Sequence, residues 1–110
     1  MGEAVTIDQE ACLQLLSGAT FGRVALNVQA LPRIVPVRLD VHRGRIHASP
    51  QGAVELGDAL DGAVVALQAD GYDEVTRRMW NVHLVGRVTA AYEREFVITP
   101  GIIDGEWLPF

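Results

Sequence analysis

Lysine is absent from this chain: its nine cations are all arginine, set against fourteen carboxylates for a formal net charge of −5 over 110 residues. Without a lysine amine there is no internal aldimine, which excludes pyridoxal-phosphate catalysis of the usual kind. An acidic balance also argues against general nucleic-acid binding, which needs a basic surface. Cysteine is nearly absent. Cys12 stands alone, so no intrachain disulfide can form, which suits a cytoplasmic protein. Long apolar runs are missing as well. The longest, such as residues 62–67, fall far short of the roughly 18 residues of a membrane span. The opening Met1-Gly2-Glu3-Ala4-Val5 has neither a basic nor an apolar signal region, so no secretory leader is expected. The three histidines, His42, His47 and His83, have no zinc-ligand spacing and no cysteine partner, so no metal site is expected.

What is present is apolar material in short, patterned pieces. Hydrophobic residues make up 49% of the chain, enough for one core, and the length fits a single domain over 1–110. Thr6-Ile7-Asp8-Gln9 reads as a capping box with Thr6 as the cap. Cys12, Leu13, Leu15 and Leu16 then mark the apolar side of a short helix that Ser17-Gly18 ends. On that stripe Cys12 is a small buried hydrophobe rather than a nucleophile.

Strands follow. Residues 21–28 and 33–41 read as a pair joined by a turn at 29–32, with Val35, Val37, Leu39 and Val41 on one face and Ile34, Pro36, Arg38 and Asp40 on the other. Pro36 inside a strand marks a place where the ladder opens. A turn at 42–44 leads to a third strand over 45–48. Residues 53–60 read as a second short helix and 63–69 as a strand that is continuously apolar apart from Gln68. A polar loop is expected over 70–78, a long strand over 80–90, and one or two closing strands at 96–99 and 102–103. The pattern is mostly β, about six strands with two short helices, as in a barrel with helical caps.

Several residues admit more than one role. Arg38, mid-strand, pairs with Asp40 or a partner residue in a buried ion pair, or else meets a ligand carboxylate. Arg77 and Arg78 are solvated, or bind an anion bidentately. Trp80 is a core or interface aromatic, or a wall of a ligand site, and Asn81 is a strand-end polar residue or a hydrogen-bond partner for a ring edge. His47 has the chemistry of a general acid or base, though with no visible partner a structural role comes first. Ser49-Pro50-Gln51-Gly52 is a strand-to-helix turn or a phosphate cradle. No catalytic residue is assigned from the sequence.

Taken together, these segments resemble a known family. Leu15-Leu16-Ser17-Gly18 with Gly22-Arg23-Val24-Ala25, Pro32-Arg33-Ile34-Val35-Pro36-Val37, Val65-Ala66-Leu67-Gln68-Ala69-Asp70, then Asp73, Thr76-Arg77, Trp80-Asn81-Val82 and Gly86-Arg87, and last Ile98-Thr99-Pro100 with Ile103 and Gly105, are similar in order and spacing to the pyridoxamine 5′-phosphate oxidase-like split barrels. The resemblance implies a split β-barrel that works as a homodimer. It also implies a groove at the dimer interface that takes flavin mononucleotide (FMN), a deazaflavin or haem, and hydride transfer to or from a small molecule. It places Ile34, Val35, Pro36 and Val37 along the isoalloxazine, Ser49 at the phosphate, Trp80 and Asn81 beside the ring, and Arg77 reaching across from the partner chain.

The chain departs from the family pattern twice. Tyr92-Glu93-Arg94-Glu95 replaces a longer insert, and Val54 and Glu55 occupy the positions where flavin-binding members carry a basic pair for the phosphate. Losing two charge-assisted hydrogen bonds costs roughly 3–6 kcal/mol, about a hundred- to ten-thousand-fold or more in affinity. Two expectations therefore stand side by side. One is a flavin-type oxidoreductase in which other arginines hold the phosphate. The other is a cofactor-free small-molecule-binding protein or enzyme that has repurposed the groove.

Overall fold

The computed structural model describes residues 3–52 and 60–109. The chain enters through β1 (Val5–Thr6) and α1 (Gln9–Gly18). The helix cap is Asp8, not Thr6: Asp8 Oδ1 accepts the Ala11 N–H at 2.8 Å. Thr6 is withdrawn from capping because it is paired in β1, opposite Glu106. Cys12 and Leu16, one turn apart on the same helical face, are buried, and Leu13 and Leu15 pack at the margin of the core. Burial pushes the Cys12 thiol up, with Asp8 and Asp104 adding to the shift.

Six further strands follow: β2 (Phe21–Val28), β3 (Leu31–His42), β4 (Arg45–Pro50), β5 (Val64–Asp73), β6 (Arg78–Ala91) and β7 (Phe96–Pro109). They pair antiparallel in the order β7-β4-β3-β2-β5-β6, and β6 pairs with β7 to close the ring, with β1 added on β7. This is the split β-barrel that the sequence led us to expect. Alternation fills it: Val24, Val35, Val37, Ile46, Leu67 and Leu84 point inward while their strand neighbours point out. Among the described residues no polar side chain is fully buried. The helix expected over 53–60 lies outside the described residues except for Leu60, which is buried.

Strand length is where sequence and structure differ most. The β2–β3 turn is only Gln29-Ala30, both with positive φ (52° and 65°), as a two-residue hairpin turn requires. Leu31 and Pro32 therefore belong to β3. In a strand, a residue's N–H and C=O point the same way. The Gln51 N–H donates to the Pro36 carbonyl at 2.9 Å, so Pro36 and, by alternation, Ile34 and Pro32 aim away from β2. The β3–β4 ladder ends at Val37↔Pro50. Residues 32–36 thus form an edge that no described strand covers, and of its three backbone nitrogens aimed away from β2, those of Pro32 and Pro36 carry no N–H, which leaves Ile34 as the one donor. That protects the edge from pairing with a stray strand.

The residues expected as a polar loop, 70–78, instead prolong a hairpin. Asp70↔Asn81 through Asp73↔Arg78 continue the β5–β6 ladder, and only 74–77 turn. Asp73 Oδ1 accepts the N–H groups of Val75 (2.9 Å) and Thr76 (3.4 Å). The Val75 N–H foremost holds the Asp73 carboxyl below the usual carboxylate range. Its contribution to the turn is therefore present above the unfolded pKa and lost as pH falls through the lowered one. The polar residues disguised a strand because this part of the hairpin is solvated.

The two closing segments are one strand, β7, which crosses a bulge opposite Val85/Gly86. A Cβ at Gly86 would lie 2.6 Å from the Thr99 carbonyl oxygen, a backbone atom that cannot swing aside. Gly86→Ala is expected to cost about 1–3 kcal/mol, read as a lower urea midpoint at unchanged slope.

Candidate functional site

Cross-strand register gathers a groove on the outer face of the barrel. Ala25 of β2 stands opposite Ile34 of β3 and Ala66 of β5, and Arg23 stands opposite Gln68, which in turn faces His83 of β6. These residues, with Leu67, line an open cavity of about 280 Å³. Two alanines set the floor low because their methyl groups leave room above the sheet, and the longer side chains form the rim. The lining is mainly apolar with convergent polar groups, the usual composition of a small-molecule site.

The polar groups differ in how far they are committed. Gln68 Nε2 donates to Asn81 Oδ1 at 3.0 Å. His83 Nε2 lies 3.8 Å from Asp104 Oδ2, both well exposed, a pair worth little in water. The Arg23 side chain makes no hydrogen bond or ion pair among the described residues.

Ile34, 72% exposed, stands at the mouth of this groove and beside the uncovered edge of β3. Pro36 is exposed on the same face. Val35 and Val37 are buried inside the barrel, so their side chains cannot touch a ligand on the outer face. They are corrected from ligand contacts to core residues, as strand alternation dictates.

Ser49 of β4 is half-buried and stands directly opposite Arg38. The buried Arg38–Asp40 ion pair does not exist: Arg38 is exposed and pairs with no carboxylate among the described residues. Both residues lie on the outward face, open to solvent.

Asn81 reaches the groove's margin through its bond to Gln68. Trp80 does not. It lies on the inward-facing side of β6, packed against the core with its indole over Gly71, where a Cβ would be 2.5 Å from Nε1. Arg77 sits in the hairpin turn with φ 54°, exposed and remote from the groove of its own chain. Its neighbour Arg78 lies 4.7 Å over the Trp107 ring, a cation–π contact.

His47 proves to have a partner. Its Nδ1 is 2.6 Å from Glu95 Oε1, which ties the β6–β7 turn to β4, and the His42 ring meets it edge-on with centroids 6.4 Å apart. No group of histidine, cysteine and carboxylate side chains fit to hold a metal ion exists among the described residues, nor is any described helix long and apolar enough to cross a membrane.

Sequence reasoning missed Ala25, Ala66, Gln68 and His83 as a group. They come from β2 and from the β5–β6 hairpin, which are far apart in sequence, and only the register between those strands brings them together.

Residues 8–99 match the sequence profile of a family described as pyridoxamine 5′-phosphate oxidase. No curated protein matches the chain in sequence. Among solved structures, the FAD-binding protein from Mycobacterium smegmatis superposes with a TM-score of 0.79 at 19% identity, covering 96% of this chain and 99% of that one. A FAD-binding protein from Mesorhizobium loti gives 0.76 at 18% identity, with 96% of each chain covered. A conserved protein of unknown function from Corynebacterium diphtheriae gives 0.74 at 17% identity, covering 96% and 98%. At these identities the likeness is one of fold.

Proposed function

The chain belongs to the pyridoxamine 5′-phosphate oxidase family, and from that premise we propose that it binds a flavin on the outer face of β3 and serves as an oxidoreductase on a small molecule. The observation that carries this reading is the pairing of an exposed apolar platform with an unpartnered arginine on one strand. Ile34 and Pro36 form the platform, and Arg38, opposite Ser49, follows two residues on. Two structural neighbours named for FAD binding support a flavin over other ligands.

The residues present fit such a group. Ile34 and Pro36 offer an apolar surface for the isoalloxazine, and the Ile34 N–H and C=O on the uncovered edge can bond its polar rim. Arg38 lies about 7–13 Å further along β3, with Ser49 of β4 opposite it, where the two can hold the phosphate of FMN. They replace the basic pair that Val54 and Glu55 displace. When bound, the flavin supplies hydride transfer, while the protein binds, orients and shields it. The 280 Å³ groove beside it falls short of the roughly 300–1,000 Å³ of sites that bury most of a ligand. A second copy of the chain, as in a homodimer, would complete the enclosure.

Titration of the purified protein with FMN, FAD, a deazaflavin and haem, followed by visible absorbance, tests the reading. A saturable change with a flavin supports it; a protein that binds none of the four returns the groove to cofactor-free chemistry. Ile34→Asp, which puts a charge where the ring would pack, is expected to weaken FMN and riboflavin alike by roughly tenfold or more. Fluorescence quenching of each flavin checks this.

A further inference from the structure

The outer face of the barrel carries two parallel rows of side chains. One is polar: Arg23 of β2 stands opposite Gln68 of β5, Gln68 opposite His83 of β6, and His83 opposite Asp104 of β7. The other is apolar: Ile34 of β3 stands opposite Ala25, Ala25 opposite Ala66, and Ala66 opposite Val85. The rows are two residues apart along each strand, roughly 7 Å, and the groove lies across both. Ile34 belongs at once to this groove and to the platform proposed for the flavin ring.

The polar row has unused capacity, and its charges select the ligand. The Arg23 guanidinium is exposed and unpartnered among the described residues, and its planar fork of donors matches a carboxylate bidentately. Gln68 donates one amide proton to Asn81 and keeps a second donor and its carbonyl. His83 turns Nε2 toward Asp104 at 3.8 Å, with Nδ1 uncommitted among the described residues. With His83 neutral, Arg23 is the one cation of the row and Asp104 its one anion. A second negative charge on a ligand would face Asp104 with no further cation in the row to balance it. We infer that the groove binds a small monocarboxylate with a short apolar body, the carboxylate on Arg23 and the body over Ala25 and Ala66 against Ile34. The 7 Å between the rows limits that body to about the length of one ring, and Ile34 sets it beside the flavin. The inference rests on the flavin site of the proposed function and assigns the class of small molecule that the flavin meets there.

Benzoate is the probe and benzamide its neutral counterpart, each titrated into the purified protein with and without FMN while amide resonances are followed. Benzoate is expected to bind roughly fivefold or more tightly than benzamide, with shifts at Ala25, Ala66, Gln68 and His83. Arg23→Gln is expected to weaken benzoate roughly tenfold and to leave benzamide and FMN unchanged. Arg23→Lys, which keeps the charge but not the fork, is expected to fall between the two. Equal binding of benzoate and benzamide, no binding of either at millimolar concentrations, shifts away from the groove, or full benzoate affinity in Arg23→Gln would overturn the inference. So would a loss of FMN affinity in Arg23→Gln, which would give that guanidinium to the phosphate. FMN titration of the same samples separates the two readings. FMN binding without a preference for benzoate removes only the substrate class, and Arg23-dependent benzoate binding by a protein that takes no flavin removes only the flavin assignment.

Discussion

Arg38→Gln is expected to weaken FMN binding by roughly ten- to 150-fold while leaving riboflavin unchanged. The expectation follows from what each ligand asks of the strand. Riboflavin has the ring but no phosphate, so it depends on Ile34 and Pro36 alone. FMN adds a phosphate that is close to a dianion, and Arg38 is the exposed, unpartnered cation directly opposite Ser49. A hydrogen bond to a charged group contributes about 1.5–3 kcal/mol, which converts to that range of affinity. Glutamine keeps the length and polarity of the side chain but not the charge. Equal losses for both ligands would mean that Arg38 shapes the strand instead of holding the phosphate. No loss for either would move the phosphate to another cation, with Arg23 next in line. Salt should act in the same direction, since an exposed pair of charges is screened.

Phe96→Ala is expected to be the most damaging single truncation, at about 3–5 kcal/mol. Phe96 is the largest of the fully buried side chains among the described residues. It stands where β7 leaves the β6–β7 turn, opposite Ala48 on one side and Ala91 on the other. Flanked by alanines, the ring fills space that no neighbour can reclaim, so the cavity term is near its maximum. Domains of this size hold only about 5–15 kcal/mol in total, so the variant would sit near the edge of folding. Tyr92→Ala, in the same short turn but exposed, should stay within about 0.5 kcal/mol of wild type. Urea denaturation of the two variants side by side checks the contrast.

How much of this was legible in the sequence follows from what each element depends on. β2 was found to the residue, because Phe21–Val28 alternates and is bounded by a turn. The inward face of β3 was equally clear from Val35, Val37 and Leu39. The far end of the β5–β6 hairpin was not: Asp70, Asp73 and Arg78 are polar, and a solvated strand has no apolar alternation to show. The helix cap was misplaced by two residues because Thr6 had a competing use in β1, whose pairing with Trp107 and Glu106 is about a hundred residues away in sequence.

The site shows the same division. Ile34 and Pro36 could be placed on the outer face from strand period alone. That same period should have withdrawn Val35 and Val37 from ligand contact, since neighbouring residues cannot share a face. His47 carried no sign of Glu95, because the pair joins β4 to the β6–β7 turn across 48 residues. The groove at Ala25, Ala66, Gln68 and His83 required knowing that β5 lies beside β2, and nothing local in the chain records that neighbourhood.

The central claim, that a flavin lies on the outer face of β3, is tested most directly by following backbone amide resonances of this 11.9 kDa chain as FMN is added. The account predicts that shifts concentrate at Ile34, Arg38, Ser49 and Ala25, with the Trp80 indole and the inward-facing core little changed. Saturation with shifts confined to another face of the barrel, or no shifts at all at millimolar FMN, would contradict it.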